Sequence, residues 1–121
     1  MRRSDKPAEA AKPPQPERHE LEIIEHPDHT LAPRSGRRTQ VRTGDRVFFK
    51  AEKGAEDPGL SFNGEVPFAG GEVAYGRDLT VSAKHKRGGN NVYSFNCKFK
   101  KKGVPLETPG GGELEILPSD G

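Results

Sequence analysis

The chain of 121 residues is 30% hydrophobic with a mean hydropathy of −0.90, enough material for one domain but too few apolar side chains to fold along its whole length. Its 20 basic and 18 acidic residues leave a formal charge of +2, which excludes a global polycation and leaves only local clusters to consider. No apolar run suits a membrane-spanning helix or a signal-peptide core, so the chain reads as soluble and not membrane-inserted, and a single cysteine excludes an intramolecular disulfide framework.

The apolar deficit is concentrated at the start. Between Met1 and Leu21 no large apolar side chain can offset the entropy of ordering. Residues 1–18 therefore read as a disordered tail or linker, 19–118 as the folded domain and 119–121 as a frayed end. A Pro/Ala/Lys/Glu-rich opening also suits a chain that starts just after a removed signal peptide or anchor, so the compartment stays open, a periplasmic or secreted one included.

From His19 the pattern has period two, with turn residues between the runs. "HELEIIEHP" brings Leu21 and Ile23 to one face before Pro27 stops the strand. "RTQVRTGDRVFFKA" gives Thr39 and Val41, a turn at Thr43-Gly44-Asp45, then Val47 and Phe49 on one face with Phe48 on the other. "AEKGAEDPG" reads as a longer surface loop, followed by short runs around Leu60 and Phe62 and around Val73 and Tyr75. "RDLTVSAK" alternates Leu79, Val81 and Ala83 with polar residues, "KRGGNN" reads as a hairpin connection, and "GGGELEILP" supplies Leu114 and Ile116. Apolar repeats at helical spacing are absent, and 15 glycines with 11 prolines disfavour long helices.

"GNNVYSFNCKF" carries the same alternation: Tyr93, Phe95, Cys97 and Phe99 share one face, and Ser94, Asn96, Lys98 and Lys100 the other. Cys97 thus reads as an inert core thiol, because free cysteine is among the most buried residue types. The competing reading is a reactive thiolate whose pKa the neighbouring lysines lower. About seven half-buried strands with turn chemistry between them predict an all-β fold, a two-sheet antiparallel or mixed Greek-key sandwich.

On these residues the chain resembles the cupredoxins, most closely the plastocyanin-like branch. "VRTGDRVFFKAEKGAEDPGLSF" is similar to that family's second and third strands, "VYSFNC" to the penultimate strand that carries the copper cysteine, and "GGGELEI" to the terminal strand. The resemblance implies a cupredoxin-like sandwich over roughly Leu21 to Leu117. It also implies a copper centre of two imidazoles, one thiolate and a weak axial thioether, of which only the cysteine, Cys97, is retained. Gly59 stands where the first histidine would come after Pro58, Lys100 where the second would fall, and no methionine lies beyond Cys97. Lysines 98, 100, 101 and 102 oppose an incoming cation, so no metal and no cofactor are expected.

Other chemistry finds little support. "HPDH" at His26 to His29 resembles a chelating pair but supplies an incomplete coordination sphere, and His85 lies among Lys84, Lys86 and Arg87. Motifs for nucleophilic catalysis and phosphate cradling are missing, and the carboxylate pairs read as solvated strand faces. The chain is therefore expected not to be an enzyme but a protein-interaction or structural module. Its binding loops would be Glu52 to Gly59 and Lys98 to Gly112, with Glu56 and Asp57 opposite Lys98, Lys100, Lys101 and Lys102. The alternative is an anionic-surface or nucleic-acid binder using Lys84, His85, Lys86 and Arg87 together with Lys98 to Lys102. These clusters flank one strand about 20 Å apart, beyond a Debye length, so nucleic acid is the less favoured partner. A second alternative is a copper electron-transfer protein. The expected partner is a protein whose identity the sequence leaves open.

Overall fold

The computed structural model describes residues 15–118. It contains eight strands, β1 (Arg18–Glu25), β2 (Leu31–Pro33), β3 (Arg38–Val41), β4 (Arg46–Ala51), β5 (Ala55–Phe62), β6 (Asp78–Thr80), β7 (Val92–Lys101) and β8 (Val104–Ile116), and a single 3₁₀ turn at Ala69–Gly71. They form two four-stranded sheets, ordered β2-β1-β4-β6 and β3-β8-β7-β5. The chain is thus an all-β sandwich, and both sheets are mixed: β1 runs parallel to β4, β3 parallel to β8, and the other pairings are antiparallel.

Alternation along each strand builds the core. Leu21, Ile23, Val47, Phe49 and Leu79 from one sheet meet Val41, Phe95, Cys97, Phe99, Leu114 and Ile116 from the other, all buried. Each such side chain contributes on the order of 1.5–3 kcal/mol relative to exposure. The rings interlock across the layers, with Phe49 edge-on to Phe95 at 5.4 Å and to Phe68 at 6.1 Å. Glycine makes room for them: a Cβ at Gly112 would run into the Phe95 ring, and one at Gly111 into the Leu31 carbonyl oxygen. The second and third glycines of "GGG" therefore let β8 pass directly under a ring and beside β2.

Several local expectations are corrected. "AEKGAEDPG" is no long loop but a tight turn, closed by Ala55 N–H to Glu52 O at 2.9 Å, that runs straight into β5. A bulge between Glu56 and Gly59, with Asp57 at φ 50°, accommodates Pro58 on this edge strand. "KRGGNN" is no hairpin; it carries the chain from β6 in one sheet to β7 in the other. The tight hairpin lies instead at Lys101–Val104, where Lys102 and Gly103 both have positive φ. "GEVAYG" forms only an isolated bridge, Phe49 to Tyr75. The expected tail reaches too far, since Arg18 opens β1; its first 14 residues and the expected frayed end at 119–121 lie outside the described residues.

The Thr43-Gly44-Asp45 turn is present, but it joins strands of different sheets: Gly44 N–H reaches Val81 O (2.8 Å), Asp45 N–H returns to Arg42 O (3.0 Å), and Arg42 and Glu17 bring further N–H groups to the corner. Asp45, only 4% exposed, supplies the acceptors. Its carboxylate takes N–H bonds from Glu17 (3.0 Å), Arg42 (3.0 Å) and the His19 ring (2.9 Å), and its carbonyl accepts from Val81 N–H (2.8 Å). Burial pushes this carboxyl up, yet the three donors together outweigh burial and hold it below the usual carboxylate range. Asp45→Ala would strand two backbone N–H groups and should cost about 2–4 kcal/mol in chemical denaturation. Because the folded-state pKa is depressed, this stabilisation is present above the unfolded carboxyl range and lost as pH falls through the folded value. Asp45→Asn should therefore flatten the acid limb of the stability profile, and an unchanged limb would contradict this role.

Candidate functional site

Cys97 sits in the middle of β7, between Leu60 of β5 and Thr108 of β8, with no exposed surface. Burial pushes its thiol up to about 12, the opposite of the activation that neighbouring lysines would provide. Those lysines point the other way, since Lys98 and Lys100 are exposed while Cys97 and Phe99 are buried. Two residues, Lys102 and Gly103, close the chain between β7 and β8, so the expected loop from Lys98 to Gly112 is largely a β-hairpin. It widens once, near residues 109–111, where Asn96 Oδ1 receives Gly110 N–H at 2.9 Å and the Arg37 guanidinium donates to Gly110 O at 3.0 Å.

Gly59, where the resemblance would place a histidine, lies opposite Lys98. A Cβ there would come within 2.6 Å of Lys98 Cε, so the lysine stem already fills that space. The imidazoles of "HPDH" are engaged locally. The His29 ring donates to Glu25 at 2.8 Å, the His26 ring donates to Pro33 O at 3.3 Å, and Asp28 caps Thr30 through its N–H (3.1 Å) and hydroxyl (2.6 Å). Among the described residues no group of three or more His, Cys, Asp and Glu side chains is placed to hold a metal ion. Nor is any helix of the described residues long and apolar enough to cross a membrane.

The charges of the expected binding loops do meet, on adjacent strands. Glu56 pairs in register with Lys100, and Lys100 Nζ lies 3.6 Å from Asp57. Lys101 does not face them. Its ammonium crosses to the other sheet and sits between Glu52 (2.6 Å) and Glu25 (3.2 Å), while Glu52 also accepts the Glu25 N–H at 2.8 Å. The His29 donor, followed by Lys101, holds Glu25 below the usual carboxylate range; Lys101 does the same for Glu52 and is itself held up by Glu52 and then Glu25. Lys100 and Lys101 at this end are thus paired internally, whereas Lys98, Lys102 and the neighbouring Lys53 lack an ion pair among the described residues.

At the opposite end, Lys84, His85, Lys86 and Arg87 are all exposed and make no ion pair among the described residues. The loop holding them is nonetheless built. The Asn91 side-chain carbonyl accepts Lys86 N–H at 2.7 Å, its amide donates to Lys86 O at 3.0 Å, and Gly89 N–H returns to Lys86 O at 3.1 Å. The asparagines thus serve as side-chain clamps, not as residues with positive φ; Gly88, at φ 75°, takes that task. The Thr43 hydroxyl donates to Ala83 O at 2.7 Å, seating the loop against the turn that Asp45 organises. No family model, curated protein or solved structure gives a significant match to this chain.

Asp45, the Asn91 clamp and the Glu25–Lys101–Glu52 bridge are not legible in the sequence. "TGD" marks the turn but not the burial of its carboxylate, and Lys101 lies 76 residues from Glu25. Two outcomes are expected. Cys97 should resist an aromatic disulfide reagent in the native protein and react only on unfolding; native-state labelling at a free-thiol rate would refute its enclosure. Lys101→Ala should lower the thermal midpoint more than Lys102→Ala near neutral pH. Because Glu25 and Glu52 are held below their unfolded values, that gap is complete above the unfolded carboxyl range and should close as pH falls through the folded one.

Proposed function

We propose that this chain is a non-catalytic interaction module built on a cupredoxin-like sandwich that has no copper centre. One observation carries the reading: the sulfur is sealed inside β7 and the strand is closed onto β8 by a two-residue turn, leaving no loop to deliver further ligands beside it. The sheet arrangement supports the scaffold half of the reading. The segments that resemble the family's second, third, penultimate and terminal strands fall on β4, β5, β7 and β8.

A catalytic role has little to stand on. His19 and Asp45 form the sort of pair that orients a general base, but among the described residues no serine, threonine or cysteine hydrogen-bonds to that ring, and Asp45 is occupied with backbone donors. What the rigid sandwich offers is surface at its two ends.

Titration of the purified, untagged protein with Cu(II), and with Co(II) as a spectroscopic probe, tests the reading. The expected result is no thiolate charge-transfer band and no stoichiometric retention after dialysis. An intensely coloured complex at one equivalent, lost in Cys97→Ala, would overturn it in favour of electron transfer.

A further inference from the structure

Resting on the reading of this chain as an interaction module, we infer that its recognition surface is the basic loop Lys84–Arg87 with the depression beside it, and that the partner is an acidic segment of another protein, rich in aspartate or glutamate. The distribution of charge points there. Arg18, Arg34, Arg37, Arg38, Lys50, Arg77, Lys100 and Lys101 each lie within ion-pairing distance of a carboxylate; among the cations with no such partner in the described residues, which also include Arg42, Arg46, Lys53, Lys98 and Lys102, Lys84, Lys86 and Arg87 fall together in one short turn. Like charges held side by side without counter-charge repel, so an external anion recovers what the fold leaves uncompensated.

The turn is pre-shaped for this role. Asn91 fixes both backbone groups of Lys86, and the Gly89-to-Lys86 bond closes a β-turn with Arg87 at its outer corner. A loop already ordered has less conformational freedom to lose on binding than a floppy basic tail. Beside it lies an open depression of about 350 Å³ lined by Thr43, Lys84, His85 and Pro118, a receptacle with donors on its rim for a carboxylate side chain. Arg42 adjoins the turn on which the loop is seated, and Asp45 in that turn is buried with its carboxylate accepting three hydrogen bonds, so it does not compete.

The class of anion is set by what the surface lacks. Phe49, Phe68, Phe95 and Phe99 lie in the core and Phe62 against it, and Phe48, on the outer face of β4, lies under the Arg18 guanidinium; residues 84–91 hold no phenylalanine, tyrosine or tryptophan, so the loop carries no such stacking platform for bases beside its cations. Residues 84–91 contain no apolar side chain that could wedge into a bilayer. A compact set of three cations beside a small depression fits a short run of carboxylates better than an extended phosphate backbone.

The test is fluorescence anisotropy of the full 121-residue chain with a labelled oligoglutamate peptide, alongside duplex DNA and phosphatidylserine vesicles. Oligoglutamate should bind at low salt and weaken as ionic strength rises past about 0.15 M. Binding should fall by about tenfold or more in K84A/K86A/R87A and stay unchanged in K98A/K100A/K102A. Circular dichroism and the thermal midpoint of the loop variant, whose changes are all on exposed side chains, should match the parent. Absence of oligoglutamate binding, equal loss in both triple variants, or preferential retention of DNA or vesicles that the peptide does not displace would each overturn the inference. The metal titration is independent of all three, so failure here leaves the copper-free reading intact.

Discussion

A single buried carboxylate, Asp45, holds the corner on which the sandwich depends. The chain leaves one sheet at Val41 and enters the other at Arg46, and at that step the N–H groups of Arg42 and Glu17 converge on one side chain. Buried N–H groups without acceptors are costly, and Asp45 removes that cost by collecting N–H bonds from Glu17, Arg42 and His19 while its own carbonyl anchors Val81. The partners come from the lead-in to β1, from β1 itself, from the end of β3 and from the residue after β6. This matters most for β1, which pairs with β4 in parallel and so has no hairpin turn to set its register. Glu17 and His19, held to Asp45, bring Arg18 opposite Arg46, and the rest of the strand falls into line.

The two ends of the sandwich solve their charge in opposite ways. At the β7–β8 hairpin an ammonium group is drawn between two carboxylates of the other sheet, a cross-layer bridge that closes the end mechanically. At the Asp45 end the acid is consumed internally by backbone donors, and the cations of the 84–87 loop face solvent alone. On the proposed reading an anionic partner would approach the second end, although the net charge of the chain is only +2. The sealed thiol between them belongs to neither surface.

The alternation in "VYSFNCKF" is sufficient to place Phe95, Cys97 and Phe99 inside and Lys98 and Lys100 outside, because in a strand the face of a side chain is decided by parity alone. The same rule locates Leu21, Ile23, Val47 and Phe49. Parity is silent on partners. It cannot show that "RTQV" and "RVFFKA" belong to different sheets, nor that "GAEDPG" continues as a strand; there a bulge at Asp57 and pairing with Lys98 to Lys101 override the turn propensities of glycine, aspartate and proline. "GEVAYG" departs in the other direction. It alternates like a strand, but only Tyr75 reaches a neighbouring strand as a bridge, and its hydroxyl is spent on Gly59 O at 3.2 Å.

By itself the amino-acid sequence determined the class of fold, the inward face of nearly every strand and the lack of a second imidazole or thioether after Cys97, since all three are properties of residue type and local spacing. Only the tertiary structure decided which cations are free. Ion pairing depends on where distant segments come to rest, and neighbours in sequence such as Lys100 and Lys101 find partners on different sheets, while Lys84, Lys86 and Arg87 find none among the described residues. Charge is a local attribute of a residue; its compensation is a non-local property of the fold.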